Sequence, residues 1–261
     1  MNEPAAPGES VTDDSVLLTP LDGPTTIIEL AGARFLVDPT FDPAQEYPIG
    51  GRSLVKTTDA TWTPDQAGHV DAVLLSHDQH PDNLDHGGRT YLAEAPLTLT
   101  TPLAASRLGG TAVGLGTWES RTVAGVTITA VPGQHGPDGT EHLTGPVTGF
   151  VLAAAGRTVY VSGDNASLRL VGEVAGRFPR IDVAVLFAGA ARTPLVDGYL
   201  TLTSPEAAEA ARILGRPRVL PVHTDGWAHF TQNGASLRAA FQETGAGDLL
   251  LGVTPGKTVR A

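Results

Sequence analysis

Short apolar runs of strand length fill the first half of the chain, and alternation of strand with helix marks the second. Thr25 to Leu30 and Arg34 to Asp38 are joined by Ala-Gly-Ala, while Gly149 to Ala154 and Thr158 to Ser162 flank Ala155-Gly156-Arg157. Both patterns predict β-hairpins. Val70 to Leu75, Arg121 to Val131, Ile181 to Phe187, Arg218 to Val222 and Leu249 to Val253 are further apolar or alternating runs with β-branched enrichment, and each predicts a strand. Helical spacing occurs after Ser167 (LRLVGEVAGRF), after Ser204 (PEAAEAARILG) and after Ser236 (LRAAFQE). The second is the clearest, with Ser204 expected as N-cap, Pro205 at the first helical position, Glu206 in the first turn and Gly215 past the end. The whole pattern predicts an α/β protein of layered sheets with helices outside.

Composition narrows the partners. The 261 residues carry 17 Lys+Arg against 28 Asp+Glu, a net charge of −11, which argues against nucleic acid because phosphate affinity comes from basic side chains. An apolar fraction of 41% is enough for a substantial core, and the 31 Gly and 20 Pro are spread along the chain, so no domain boundary stands out. Residues 1–15 hold Glu3, Glu9, Asp13 and Asp14 and no basic residue; they are expected as a flexible acidic tail before a single domain over 16–261, and they lack the positive start of a secretory signal. The longest apolar stretch, Val183 to Ala191, falls far short of the roughly 20 residues that span a bilayer. The expectation is a cytoplasmic protein acting on a small molecule, without nucleic acid or membrane, its oligomeric state left open. With no cysteine, any metal must be held by imidazole, carboxylate or amide groups.

Five polar positions sit at or just after the end of an apolar run: Asp38 in RFLVDPTFDP, the cluster SHDQHPDNLDH after Leu75, His135 in ITAVPGQHGP, Asp164 in TVYVSGDNAS and His223 in RVLPVHTDGW. His77, His80 and Asp82 fall within six residues, on a loop, since Pro81 disfavours helix at His80. Singly, each has a structural use: Asp164 as an N-cap, Asp38 as a turn former, His135 in a plain turn. Together they offer the nitrogen and oxygen donors that a borderline cation accepts when thiolate is absent. His69, His86 and His142 are read as surface or structural residues.

The run LLSHDQHPDNLD, then PGQHGP, YVSGDNAS and LPVHTDGW, resembles the metallo-β-lactamase-fold superfamily of metallo-hydrolases over nearly the whole chain from Thr25. Asp-Pro-Thr-Phe-Asp-Pro and Val-His-Thr-Asp-Gly-Trp are most similar to the compact lactonase-like branch that includes ascorbate-phosphate lactonase. The resemblance implies a four-layer αββα sandwich of two mixed β-sheets, and a hydrolase that attacks a small ester, lactone or phosphoester with metal-activated water. His135, Asp164 and His223 match the third-motif histidine, the bridging carboxylate and the last histidine. The first loop departs from the family pattern. In one register Asn83 stands where a ligand histidine is expected, with His77 and Asp78 competing for the first place; in the other Gln79 replaces the second histidine and Asp82 the last.

Either register loses at least one nitrogen donor, so one tight ion and a second, weaker one are expected, Zn2+ or Mn2+, with iron ranked behind them. The implied metal ligands are His77, His80, Asp82, His135, Asp164 and His223. Asp82, Asp164 and His229 are the expected catalytic residues, the carboxylates by holding the ions and orienting water, His229 by acid or base work. Asp38 and Asp85 are expected to orient the ligand imidazoles, Trp227 and Phe230 to wall the pocket, and Arg52, Lys56 or Arg192 to meet an anionic substrate. Two alternatives remain: a non-hydrolytic or redox metalloenzyme on the same fold, and a degenerate member that binds a ligand without turnover.

Overall fold

A computed structural model describes residues 15–261; the expected acidic tail, Ser15 apart, lies outside the described residues. Strands β1 (Leu17–Pro20), β2 (Thr26–Leu30) and β3 (Ala33–Val37) form an antiparallel meander. Its β2–β3 turn is made by Ala31 and Gly32, both at positive φ (51° and 82°), the twist that closes a two-residue hairpin. A separate hairpin, β4 (Gln45–Ile49) with β5 (Arg52–Lys56), projects from the sheets. Helix α1 (Pro64–Ala67), β6 (Ala72–Leu74), α2 (His86–Glu94), β7 (Thr98–Thr100), α3 (Pro102–Leu108) and β8 (Ala112–Gly114) follow. They add three parallel strands beside β3.

The second sheet starts with β9 (Ser120–Val123) and β10 (Val126–Pro132). The single strand expected over Arg121 to Val131 is in fact this hairpin, turned at Ala124 and Gly125 (φ 46° and 83°), an Ala-Gly pair that looks like strand in an apolar context. After α4 (Glu141–Thr144), β11 (Thr148–Ala154) and β12 (Arg157–Val161) form the second expected hairpin, and α5 (Leu168–Arg177), β13 (Val183–Phe187), α6 (Ser204–Ile213) and β14 (Arg218–Val222) give parallel βαβ units. Helix α7 (Gly234–Glu243) and β15 (Val259–Arg260) complete the chain. The sheet orders are β15-β1-β2-β3-β6-β7-β8 and β14-β13-β12-β11-β10-β9, both mixed.

Alternation along each strand builds the layers. Phe35, Val37 and Leu74 of the first sheet meet Phe150, Val161 and Phe187 of the second. Their neighbours Leu36 and Val73 face outward onto Ala67 and Leu92 of α1 and α2, while Tyr160 and Leu186 face Val171, Ala207 and Phe241 of α5, α6 and α7. The result is the expected αββα sandwich. Among the described residues no helix is long and apolar enough to cross a membrane.

Local details differ from expectation. Helix α6 is capped by Thr203, whose hydroxyl and Glu206 form a reciprocal capping box, so Ser204 is the first helical residue and Pro205 the second. Helix α7 begins earlier than expected, capped by Asn233. The segment Leu249 to Val253 opens in a 3-10 turn and joins the second sheet as an isolated parallel bridge, Leu250 opposite Val219, with Leu251 N–H to the Val219 carbonyl at 2.8 Å, rather than as a full strand.

Candidate metal centre

Five strands, β3, β6, β10, β12 and β14, end on the same rim, because β3 and β6 are parallel and β10, β12 and β14 share one direction in the second sheet. Asp38, His77, His135, Asp164 and His223 therefore leave the sheets together, at the carboxyl ends of strands where open α/β sheets bind ligands. Asp38 and His223 adopt left-handed backbones (φ 40° and 59°) immediately after their strands. Such strain persists where the surroundings enforce it. At the His223 turn the enforcement comes from Gly189, where an added Cβ would lie 1.9 Å from the His223 carbonyl oxygen.

His77, His80 and His135 bring ring nitrogens within 4.8 Å of one another: His77 Nε2 lies 2.9 Å and His135 Nε2 3.2 Å from His80 Nδ1. Two outside partners set the tautomers. His135 Nδ1 donates to the Leu200 carbonyl at 3.1 Å, leaving Nε2 a lone pair directed inward. Ser76 gives its only hydroxyl proton to Asp38 Oδ2 (2.7 Å), so its oxygen accepts from His77 Nδ1 at 2.9 Å and turns His77 Nε2 inward as well. Burial pushes His77 down to about 4 and His80 down to about 3, which keeps both rings neutral. Three imidazoles with converging ring nitrogens fit a cation: tetrahedral bonds of ~2.0–2.1 Å place neighbouring donors about 3.3 Å apart.

A second group, Asp82, Asp164 and His223, lies against the first. His223 Nε2 is 3.1 Å from Asp82 Oδ2 and 3.5 Å from Asp164 Oδ1, and its ring is held between Phe187 and Phe230. Asp164 Oδ2 reaches back to His135 Nε2 at 3.6 Å, so this carboxylate stands between the two groups. Burial disfavours all three charges, yet they sustain one another: His229 and His223 hold Asp82 well below the usual carboxylate range, His223 and His135 lower Asp164, and Asp164 and Asp82 raise His223. Asp82 Oδ1 is buried with no partner, a free donor atom in a polar cradle.

The first loop now has one register. His77, His80 and Asp82 face the centre; Asp78 turns away to pair with Arg107, and Gln79 packs against Gly145, where a Cβ would strike its amide. Asn83 directs its amide N–H groups to Asp38 Oδ2 (3.0 Å) and Asp164 Oδ1 (3.1 Å), both acceptors, while its Oδ1 is buried with no hydrogen-bond partner. Asp38 thus reaches His77 through Ser76 rather than directly. Burial outweighs its hydrogen bonds from Asn83 and Ser76 and pushes the Asp38 carboxyl up to about 7. Asp85, expected beside a ligand histidine, instead caps α2 through Gly88 N–H, accepts from Phe41 and Asp42 N–H, and takes Lys56 Nζ at 3.1 Å with both side chains fully buried. That pairing removes Lys56 from the candidates for substrate charge.

His229 comes to the centre, with Nε2 3.1 Å from Asp82 Oδ2. Neither aromatic expected in the pocket wall lines the cavity: Phe230 packs on His223, and Trp227 is buried against Tyr47 and Lys56. A cavity of about 170 Å³ opens over His80, Asp82, His135, Asp164 and His229, walled by Leu54 of β5, Leu143 of α4, and Leu195 and Leu200 from the loop after β13. Arg52 and Arg192 reach its mouth, Arg52 hydrogen-bonded to Thr193 Oγ1, Arg192 stacked over Tyr199 and 3.8 Å from Asp197. The roles of Ser76 and Asn83 were not foreseen; their partners lie up to 81 residues away in the chain.

Residues 33–224 match the family described as the beta-lactamase superfamily domain. A UPF0173 metal-dependent hydrolase from Methanosphaerula palustris is 34% identical over 184 residues, 67% of this chain and 77% of the relative; one from Pelotomaculum thermopropionicum is 30% identical over 198 residues, 73% and 82%. Among solved structures, the isothiocyanate hydrolase from Delia radicum gut bacteria superposes with a TM-score of 0.82 at 22% identity, covering 93% of this chain and 98% of that one, a likeness of fold. The chain belongs to the beta-lactamase superfamily, within the UPF0173 metal-dependent hydrolases.

Proposed function

We propose that the protein hydrolyses a small ester or lactone carrying a short apolar group, at a centre that holds Zn2+ or Mn2+ through His77, His80, Asp82, His135, Asp164 and His223. The observation that carries this reading is the position of Asp164 between a triad of imidazoles and a group with a second carboxylate, lining a cavity. When bound, a divalent cation supplies a water nucleophile at neutral pH and polarises the scissile carbonyl. The protein's own contribution is orientation: the Leu200 carbonyl and the Asp38–Ser76 pair keep the lone pairs of His135 and His77 inward, and Asn83 holds the Asp164 carboxylate. Leu54, Leu143, Leu195 and Leu200 seat an apolar substituent and exclude bulk water.

The test is turnover of short-chain esters, lactones and phosphoesters by protein loaded with Zn2+ or Mn2+. Esters or lactones should be cleaved, and His135→Ala with His223→Ala should abolish cleavage together with metal content. Unchanged activity in a fully metallated double variant would overturn the reading.

A further inference from the structure

In the metal-binding reading on which this step rests, the group Asp82, Asp164 and His223 offers three donors, and Asn83 turns toward its carboxylates the N–H groups, which cannot bind a cation. A different element reaches this group. His229 Nε2 and His223 Nε2 stand at the same distance, 3.1 Å, from one oxygen, Asp82 Oδ2, a spacing close to the donor-to-donor edge of a tetrahedral site. Asp82 Oδ1 is buried beside them without any partner.

The His229 ring is also placed before any ligand arrives. Ala228 N–H bonds the Val55 carbonyl of β5 at 3.0 Å, the His229 carbonyl accepts Arg192 N–H at 3.1 Å, and the ring packs on Phe230 with centroids 4.5 Å apart. The loop after β14 is therefore tied to the β4–β5 hairpin on one side and to the 191–200 loop on the other. We infer that His229 is a metal ligand: it supplies, from the loop after β14, the imidazole that the first loop lacks at Asn83, and completes with Asp82, Asp164 and His223 a second position for a borderline divalent cation. This replaces the acid or base role expected of His229 and restores the donor count on which a weak second ion was expected.

Metal stoichiometry tests it. The full chain, dialysed at pH 8 against buffered Zn2+ and analysed by plasma mass spectrometry, should hold about two equivalents. His229→Ala, and His229→Phe, which keeps the ring packing without a donor atom, should each hold about one, with affinity for the lost ion down at least about tenfold. Co2+ loading should show loss of one of two visible absorption components in both variants. Two equivalents with unchanged affinity in well-folded variants would overturn the inference and leave the metal-binding reading standing, as would a wild-type protein that holds only one. A wild-type protein that binds no Zn2+ would overturn both.

Discussion

The two halves of the centre solve the burial of polar groups in opposite ways. Burial keeps His77 and His80 uncharged, the Nδ1 groups of His77 and His135 bond outward to Ser76 and the Leu200 carbonyl, and the ring nitrogens of His77, His80 and His135 converge. Asp82, Asp164 and His223 are charged, and they compensate one another through short contacts even without a cation. Incoming metal therefore competes with ring-to-ring hydrogen bonds in the first group, while in the second it competes with the imidazolium proton of His223. The first group offers converging ring nitrogens; the second is a salt-bridged network that metal must displace.

Removing Asp164 should have the largest effect, since it belongs to both halves. Asp164→Ala is expected to lose metal from both positions and to lower kcat/KM by at least about 10³, the scale of several kcal/mol of charge stabilisation, measured by parallel metal analysis and kinetics. Asn83→Leu and Ser76→Ala separate the halves. The first frees Asp164 and should weaken metal binding by about 10–100-fold in chelator competition; the second frees His77, removes one hydrogen bond from Asp38, and should cost about tenfold, mainly at the imidazole triad. If Ser76→Ala proves the more damaging, the ranking of the two halves is inverted.

Acidification should split them by a smaller margin. His223 is raised by Asp164 and Asp82, so its proton competes with metal from a higher pH, whereas burial keeps His77 and His80 deprotonated until about 4 and about 3. As pH falls, the carboxylate group should release its ion first, a sequence visible in stepwise loss of Co2+ absorption. The smallest effect is expected at Arg107→Ala. Its pair with Asp78 points away from the centre, but Asp78 is buried and loses its partner, so stability should fall by ~1–3 kcal/mol with metal content unchanged.

Much of this centre was legible in the chain because its donors sit where apolar runs stop, and strand direction alone then gathers them on one rim. The hairpins at Ala31-Gly32 and Ala155-Gly156 were legible for the same reason, as local turn chemistry between alternating runs. Ala124-Gly125 is chemically identical, but it lies inside an unbroken apolar stretch and was read through. Thr203 was passed over for Ser204 because both are good caps, and only the reciprocal bond to Glu206 decides between them. The role of Asp85 was misjudged for a different reason: its partner Lys56 lies on a projecting hairpin that no periodicity announced. Asn83 and Ser76 are polar residues whose meaning comes wholly from distant carboxylates, and no local pattern encodes that.

The most direct measurement is an anomalous difference map from crystals of the protein grown with Zn2+ or Mn2+, collected at the absorption edge of the metal. The account predicts a peak bounded by ring nitrogens of His77, His80 and His135 and by Asp164, with a second beside Asp82, His223 and His229. A fully metal-loaded crystal with its anomalous peaks elsewhere, and these imidazoles turned away from one another, would contradict it.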